Sequence, residues 1–148
     1  MNKKQKNLTN KGFSLVELII VIAIMAVLVG VLAPQYVKYL NKSKISADTQ
    51  LADSIHSAIT NTMLDPAVTA PAAMTAAAKL PDATASDFWK NVYEILGETT
   101  HDALVGDLKY DKDATKVTIQ YQIVSDSKVT VTISGGKYTT DSQTITIN

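Results

Sequence analysis

Glu17 is the only ionisable residue between Phe13 and Ala33, a run otherwise made almost entirely of Ile, Leu, Val, Ala and Met. A charge at the middle of a bilayer costs roughly 2.5 to 3.5 kcal/mol, and less toward the interface, so this carboxylate requires a compensating partner. An ammonium about 4 Å away would attract it by about 4 kcal/mol at an effective dielectric of 20, before desolvation is deducted. Such a pair can set register between apolar helices, whose Leu and Val contacts discriminate poorly between positions. Asp107, Asp111, Asp113 and Asp126 form a second group of acids. Calcium favours oxygen ligands of this kind, but the spacing completes no calcium-loop motif, and solvated turns are the simpler reading. His56 and His101 stand apart in a chain without cysteine and without a helical His pair. A zinc centre or an activated nucleophile is therefore not supported, and both histidines read as surface or boundary residues, His101 in a polar loop.

The elements that must position these residues are legible in the hydropathy pattern. About 21 apolar helical residues from Phe13 span the ~30 Å core of a bilayer. The helical period continues through Leu40, Ala47, Leu51, Ile55, Ala58, Ile59 and Met63, with Lys38, Lys42, Lys44, Asp48, Gln50 and Asp53 falling largely off that stripe. One helix is expected from Phe13 to Met63 or Leu64, stopping before Pro66. Gly30 and Pro34 weaken it by about 1 and 3 kcal/mol relative to Ala in an exposed interior. Tyr36 and Tyr39 read as interfacial anchors or helix contacts.

Residues 65–85 turn to Ala, Pro and Thr and form a connecting loop, in which Pro71 would open a short helix reaching Leu80. Ser86 caps a second helix over 86–97, with Phe88, Val92, Ile95 and Leu96 as its buried stripe, Trp89 and Tyr93 beside it, and Gly97 as its stop. Strict alternation then marks strands at Val117–Ile123, Val129–Ile133 and Ile145–Ile147, with turns at Asp126–Ser127 and Gly135–Gly136. Leu108 and Tyr110 would begin a further strand, so the sheet region covers about 107–148. The fold class is α+β: a long N-terminal helix whose C-terminal half lies on a three- or four-stranded antiparallel sheet. The divisions are 1–12, a leader; 13–40, the membrane half of the helix; and 41–148, a globular head.

The leader carries Lys3, Lys4, Lys6 and Lys11 and no acid, which favours its retention on the cytoplasmic side. A secretory signal would place its small-residue cleavage site after the apolar run, whereas Gly12 precedes it. The order basic leader, Gly12, Phe13, Glu17, long apolar helix, Pro34 resembles the class III signal of type IV pilins and pseudopilins. That resemblance implies cleavage between Gly12 and Phe13 by a prepilin peptidase, N-methylation of Phe13, and pairing of Glu17 with the N-terminus of a neighbouring subunit. It further implies that the helix around Gly30 and Pro34 yields during packing, so that residues 26–36 are helical in the membrane and partly extended in the fibre. The implied partners are copies of the chain and other pilins, an assembly platform and an ATPase, with the membrane as host before assembly.

Removing the four leader lysines leaves ten lysines against fourteen acids, a balance of minus four. With no arginine as well, nucleic-acid binding is not supported. The absence of Cys and Arg points to a Gram-positive source. No enzyme activity and no cofactor are expected. The expected function is a structural subunit of a surface filament used in adhesion or twitching motility. A pseudopilin of type II secretion or competence DNA uptake is the alternative, and a membrane-anchored module that never polymerises is the third reading.

Overall fold

The computed structural model describes residues 12–125 and 128–148. Compactness divides the chain into two units that meet at Tyr39 and Leu40. Helix α1, Leu15–Met63, runs through both and contains Pro34.

In the first unit the apolar residues of α1 are exposed, as are Tyr36 (62%) and Tyr39 (70%). In the second unit one face of α1 is buried through Asp48, Ala52, Ile55, Ala58, Ile59 and Thr62. The helical period expected there is present, but its centre is rotated: Ala47 is exposed, Leu51 and Met63 are half-buried, and Asp48, expected on the solvent face, is 1% exposed. The reason is chemical. Asp48 accepts three hydrogen bonds, one from the buried Tyr138 hydroxyl and two from part-buried amides, and these offset the cost of taking a carboxylate out of water.

The sheet has the order β1-β2-β3-β4 with every pair antiparallel. Its strands are β1 Ala78–Lys79, β2 Val117–Ser125, β3 Lys128–Gly135 and β4 Ile145–Ile147. Val117, Ile119, Tyr121 and Ile123 alternate inward on β2, and Val129, Val131 and Ile133 on β3, as the period of two requires. They form one core with Ala52, Ile55 and Ile59 of α1. The β2–β3 register slips between Ile123 and Ser125, and Val124 there is exposed. The turn expected at Asp126–Ser127 lies outside the described residues.

Three expected details differ. The fourth strand is β1, not a segment at Leu108–Tyr110. Pro71 opens no helix; the chain instead runs along β2, with the amides of Met74 and Leu80 donating to the carbonyls of Ile123 and Ile119 at 2.7 and 2.9 Å. A helix of ten residues has little stability of its own, whereas the open edge of β2 offers partners. Leu108 is buried at the C-cap of a helix not anticipated from the sequence, α3 His101–Asp107, whose N-cap Thr100 accepts from the Ala103 amide.

Helix α2, Asp87–Leu96, has its expected caps: Ser86 accepts from the Trp89 amide, and Gly97 takes the left-handed conformation at φ 77°. Its buried face is Phe88, Trp89, Val92 and Tyr93, while Ile95 is 58% exposed. Trp89 stands edge-on to Tyr121 at 4.7 Å, so the aromatic cluster packs on the sheet. The glycine pair after β3 makes no tight turn. Gly135 and Gly136, at φ 92° and 49°, lead into a short helix α4, Gly136–Thr140, before β4. A side chain at Gly135 would collide with the Lys116 carbonyl.

Candidate assembly site

Gly12 and Phe13 precede α1 and are exposed, Phe13 to 94%. The helix begins after Ser14, whose Oγ accepts from the Val16 amide at 3.4 Å. The Ser14 amide in turn donates to Glu17 Oε2 at 2.9 Å. Ser-x-x-Glu is a capping box, in which the first residue serves the end of the helix and the fourth reaches back to it. Glu17 thus lies one turn into α1 with its carboxylate directed at the chain segment that precedes the helix. The sequence carried this signal in Ser14, which reading Glu17 as an isolated charge overlooks.

Following Glu17, every large apolar side chain from Leu18 to Val37 is exposed within the chain. Among the described residues, α1 is the one helix long and apolar enough to cross a membrane. Gly30 and Pro34 both lie inside it. They are four residues apart, so Pro34, lacking an amide hydrogen, is the residue that would otherwise donate to the Gly30 carbonyl. Gly30 and Pro34 thus bear on the same missing hydrogen bond, within a helix that continues through both.

The acidic group beyond the helices is dispersed. Asp107 is exposed at the end of α3. Asp111 accepts from the amides of Lys137 (2.9 Å) and Asp113 (3.3 Å). Asp113 pairs with Lys116 at 2.8 Å and accepts from the Thr115 hydroxyl and amide, and these contacts hold its carboxyl down at about 2. Asp126 lies outside the described residues. Among the described residues, no three His, Cys, Asp or Glu side chains converge as a metal site would need.

Two polar residues have roles that sequence reasoning missed. Asp48 accepts from the amides of Lys109 (2.6 Å) and Tyr110 (2.8 Å) and from the Tyr138 hydroxyl (2.7 Å). It ties α1 to the segment after α3 and to α4. Burial and the Asp48 carboxylate push the Tyr138 phenol well above its ordinary range. His101 is not in a polar loop but 1% exposed. Its Nε2 accepts from the Ile119 amide at 3.1 Å, which places the ring proton on Nδ1, beside Asp102 Oδ1 at 2.9 Å. His56, by contrast, sits at the boundary, half-buried, with Nε2 3.1 Å from the Val129 carbonyl.

A long N-terminal helix on a four-stranded antiparallel sheet, with an exposed apolar first half, is the architecture of a pilin. Residues 8–33 match the family described as the prokaryotic N-terminal methylation motif. The chain is 38% identical over 55 residues to a type IV major fimbrial protein FimA of Dichelobacter nodosus, covering 37% of this chain and 35% of that protein. It is 41% identical over 59 residues to a type IV major pilin protein PilE1 of Neisseria gonorrhoeae, covering 40% and 36%. A fimbrial protein of Neisseria meningitidis serogroup B matches at 41% over 59 residues, covering 40% and 35%. The chain thus spans about a third of the length of the curated relatives it matches. No solved structure matches it. The chain carries the N-terminal methylation motif and is homologous to type IV pilin and fimbrial proteins, which are structural proteins and not enzymes. A Gram-positive source is unsupported, since the matched relatives are Gram-negative.

Proposed function

We propose that this chain is a structural subunit of a type IV pilus. It inserts in the cytoplasmic membrane with its head outside, is cut between Gly12 and Phe13 by a prepilin peptidase, is N-methylated at Phe13, and polymerises through α1 with the help of an assembly platform and ATPase. The observation that carries this reading is the exposed apolar half of α1 with a single carboxylate one turn from its start. Exposed on this scale, the surface requires lipid or other helices. Lipid serves before assembly and neighbouring copies of α1 after it, so the same surface is used twice.

Glu17 supplies register. After cleavage its carboxylate meets the Phe13 ammonium of an adjacent subunit, an attraction of about 4 kcal/mol at 4 Å and dielectric 20 before desolvation. Since the matched relatives are a major pilin and major fimbrial proteins, a surface filament is favoured over a pseudopilin. Adhesion and twitching motility are the uses such a filament would serve.

Glu17→Gln separates charge from cap, because glutamine also serves a capping box. The variant should be processed normally yet leave no filaments in sheared surface material. Normal filament yield from Glu17→Gln would remove the ion pair from the mechanism.

A further inference from the structure

We propose that the groove between α1 and α2 is a contact surface for a second copy of this chain and receives that copy's lysine-bearing stretch, Lys38–Lys44. This rests on the filament reading above and names a contact within it. The groove, about 500 Å³, is lined by Ser54, Ser57, Ala58 and Asn61 of α1 and by Ile95 and Leu96 of α2. A second hollow of about 440 Å³ shares Asn61 and Ile95 and extends past Asn91. Ile95 belongs by spacing to the apolar face of α2, yet it is 58% exposed, and it lines both hollows.

The margin is acidic: Asp53 lines the first hollow, and Asp65 and Glu94 line the second. Among the described residues no lysine lines either. An exposed apolar side chain, Ile95, set among polar and acidic neighbours is the anchor-and-rim anatomy of a protein contact. The complement lies in the same sequence. Between Glu17 and Asp48 the only charged residues are Lys38, Lys42 and Lys44, all exposed, and Tyr39 and Leu40 are exposed between them. From Asp48 to Glu98 there are seven acids against Lys79 and Lys90. Among the described residues the ion pairs are Lys79–Asp102 and Lys116–Asp113, so neither the three lysines nor the three groove carboxylates have a charged partner among those residues.

The stretch cannot fill its own groove. Lys44 lies on the same helix as the groove's α1 residues, Leu51 to Asn61, and precedes them by about 10 to 25 Å along its axis. Another copy must therefore supply it. A contact of two different surfaces, repeated from copy to copy, generates an open helical array wherever its rotation does not close into a ring, as a filament requires. In that contact Tyr39 and Leu40 would cover Ile95, while the lysine stems lie along apolar surface and their heads reach the carboxylates.

Charge exchange in the full chain tests this. Asp53→Lys with Glu94→Lys, and separately Lys42→Glu with Lys44→Glu, should each lower sheared filament yield about tenfold or more, and all four changes together should restore it to within about threefold of wild type. Because the chain has no cysteine, Lys42→Cys with Ser57→Cys should give covalent multimers on mild oxidation of filaments. Unchanged yield in both charge variants, or filaments without cross-linked multimers, would overturn the contact while leaving the filament reading intact. A wild-type chain that yields no filaments would overturn both.

Discussion

Glu17 has two claims on its carboxylate. The Ser14 amide holds it now, and a neighbour's ammonium would compete for it after cleavage. The capping hydrogen bond is worth about 1 kcal/mol against a gross ion-pair attraction of about 4 kcal/mol at dielectric 20, so the exchange is favourable where desolvation takes back less than about 3 kcal/mol. Asp48 is the opposite case, a carboxylate fixed in place. Asp48→Ala strands two backbone amides and the Tyr138 hydroxyl, each costing roughly 1 to 3 kcal/mol when buried. Urea unfolding of the full chain in detergent should show a loss of about 3 kcal/mol or more, against about 1 kcal/mol for Tyr138→Phe. Asp113 carries a pH signature. Its folded value, about 2, lies below that of an unfolded carboxyl, so its contribution to stability is present above about pH 4 and fades as pH falls toward 2. Carbon-detected titration of the Asp113 carboxyl should give a midpoint near 2, whereas one near 4 would mean that the Lys116 and Thr115 contacts do not form in solution. At this scale the sequence was partly silent. Glu17 stood out against an apolar background, but Asp48 lies at a helix position that reads as exposed, and the donors that bury it are more than sixty residues away.

The strands of β2, β3 and β4 were legible because alternation is a local pattern, and α2 because Ser86 and Gly97 bracket it. Helix α1 was legible through its period, though not the rotation that buries Asp48. Strand β1 was not legible, since two residues carry no period and are held only by β2. Its end explains His101. β1 ends at Lys79; the Leu80 amide still donates to the Ile119 carbonyl, but the Ile119 amide finds its acceptor in His101 Nε2 and not in the strand. The imidazole therefore stands in for a backbone carbonyl, a long-range role with no sequence signature. In the first half of α1, Pro34 and Gly30 share one missing hydrogen bond. Pro34→Ala restores a donor to the Gly30 carbonyl and should stabilise the helix locally by about 3 kcal/mol. Amide exchange in micelles should then slow across 30–36. If assembly requires this segment to extend, filament yield should fall in the same variant. Unchanged exchange would show that the proline is accommodated without cost.

For the whole molecule, two kinds of surface divide the work. The second unit has its own buried core. The first half of α1 buries none of its large apolar side chains within the chain and must be covered by something else. In the proposed function, a subunit built this way would pass from lipid to filament with its head folded, and Gly12, Phe13 and Glu17 would time and orient that passage. The most direct test is intact mass and N-terminal analysis of the protein recovered from sheared surface material. The account predicts a chain beginning at Phe13, carrying a methyl group on its amine and shorter by the twelve leader residues. Recovery of the full 148-residue chain from filaments would contradict it.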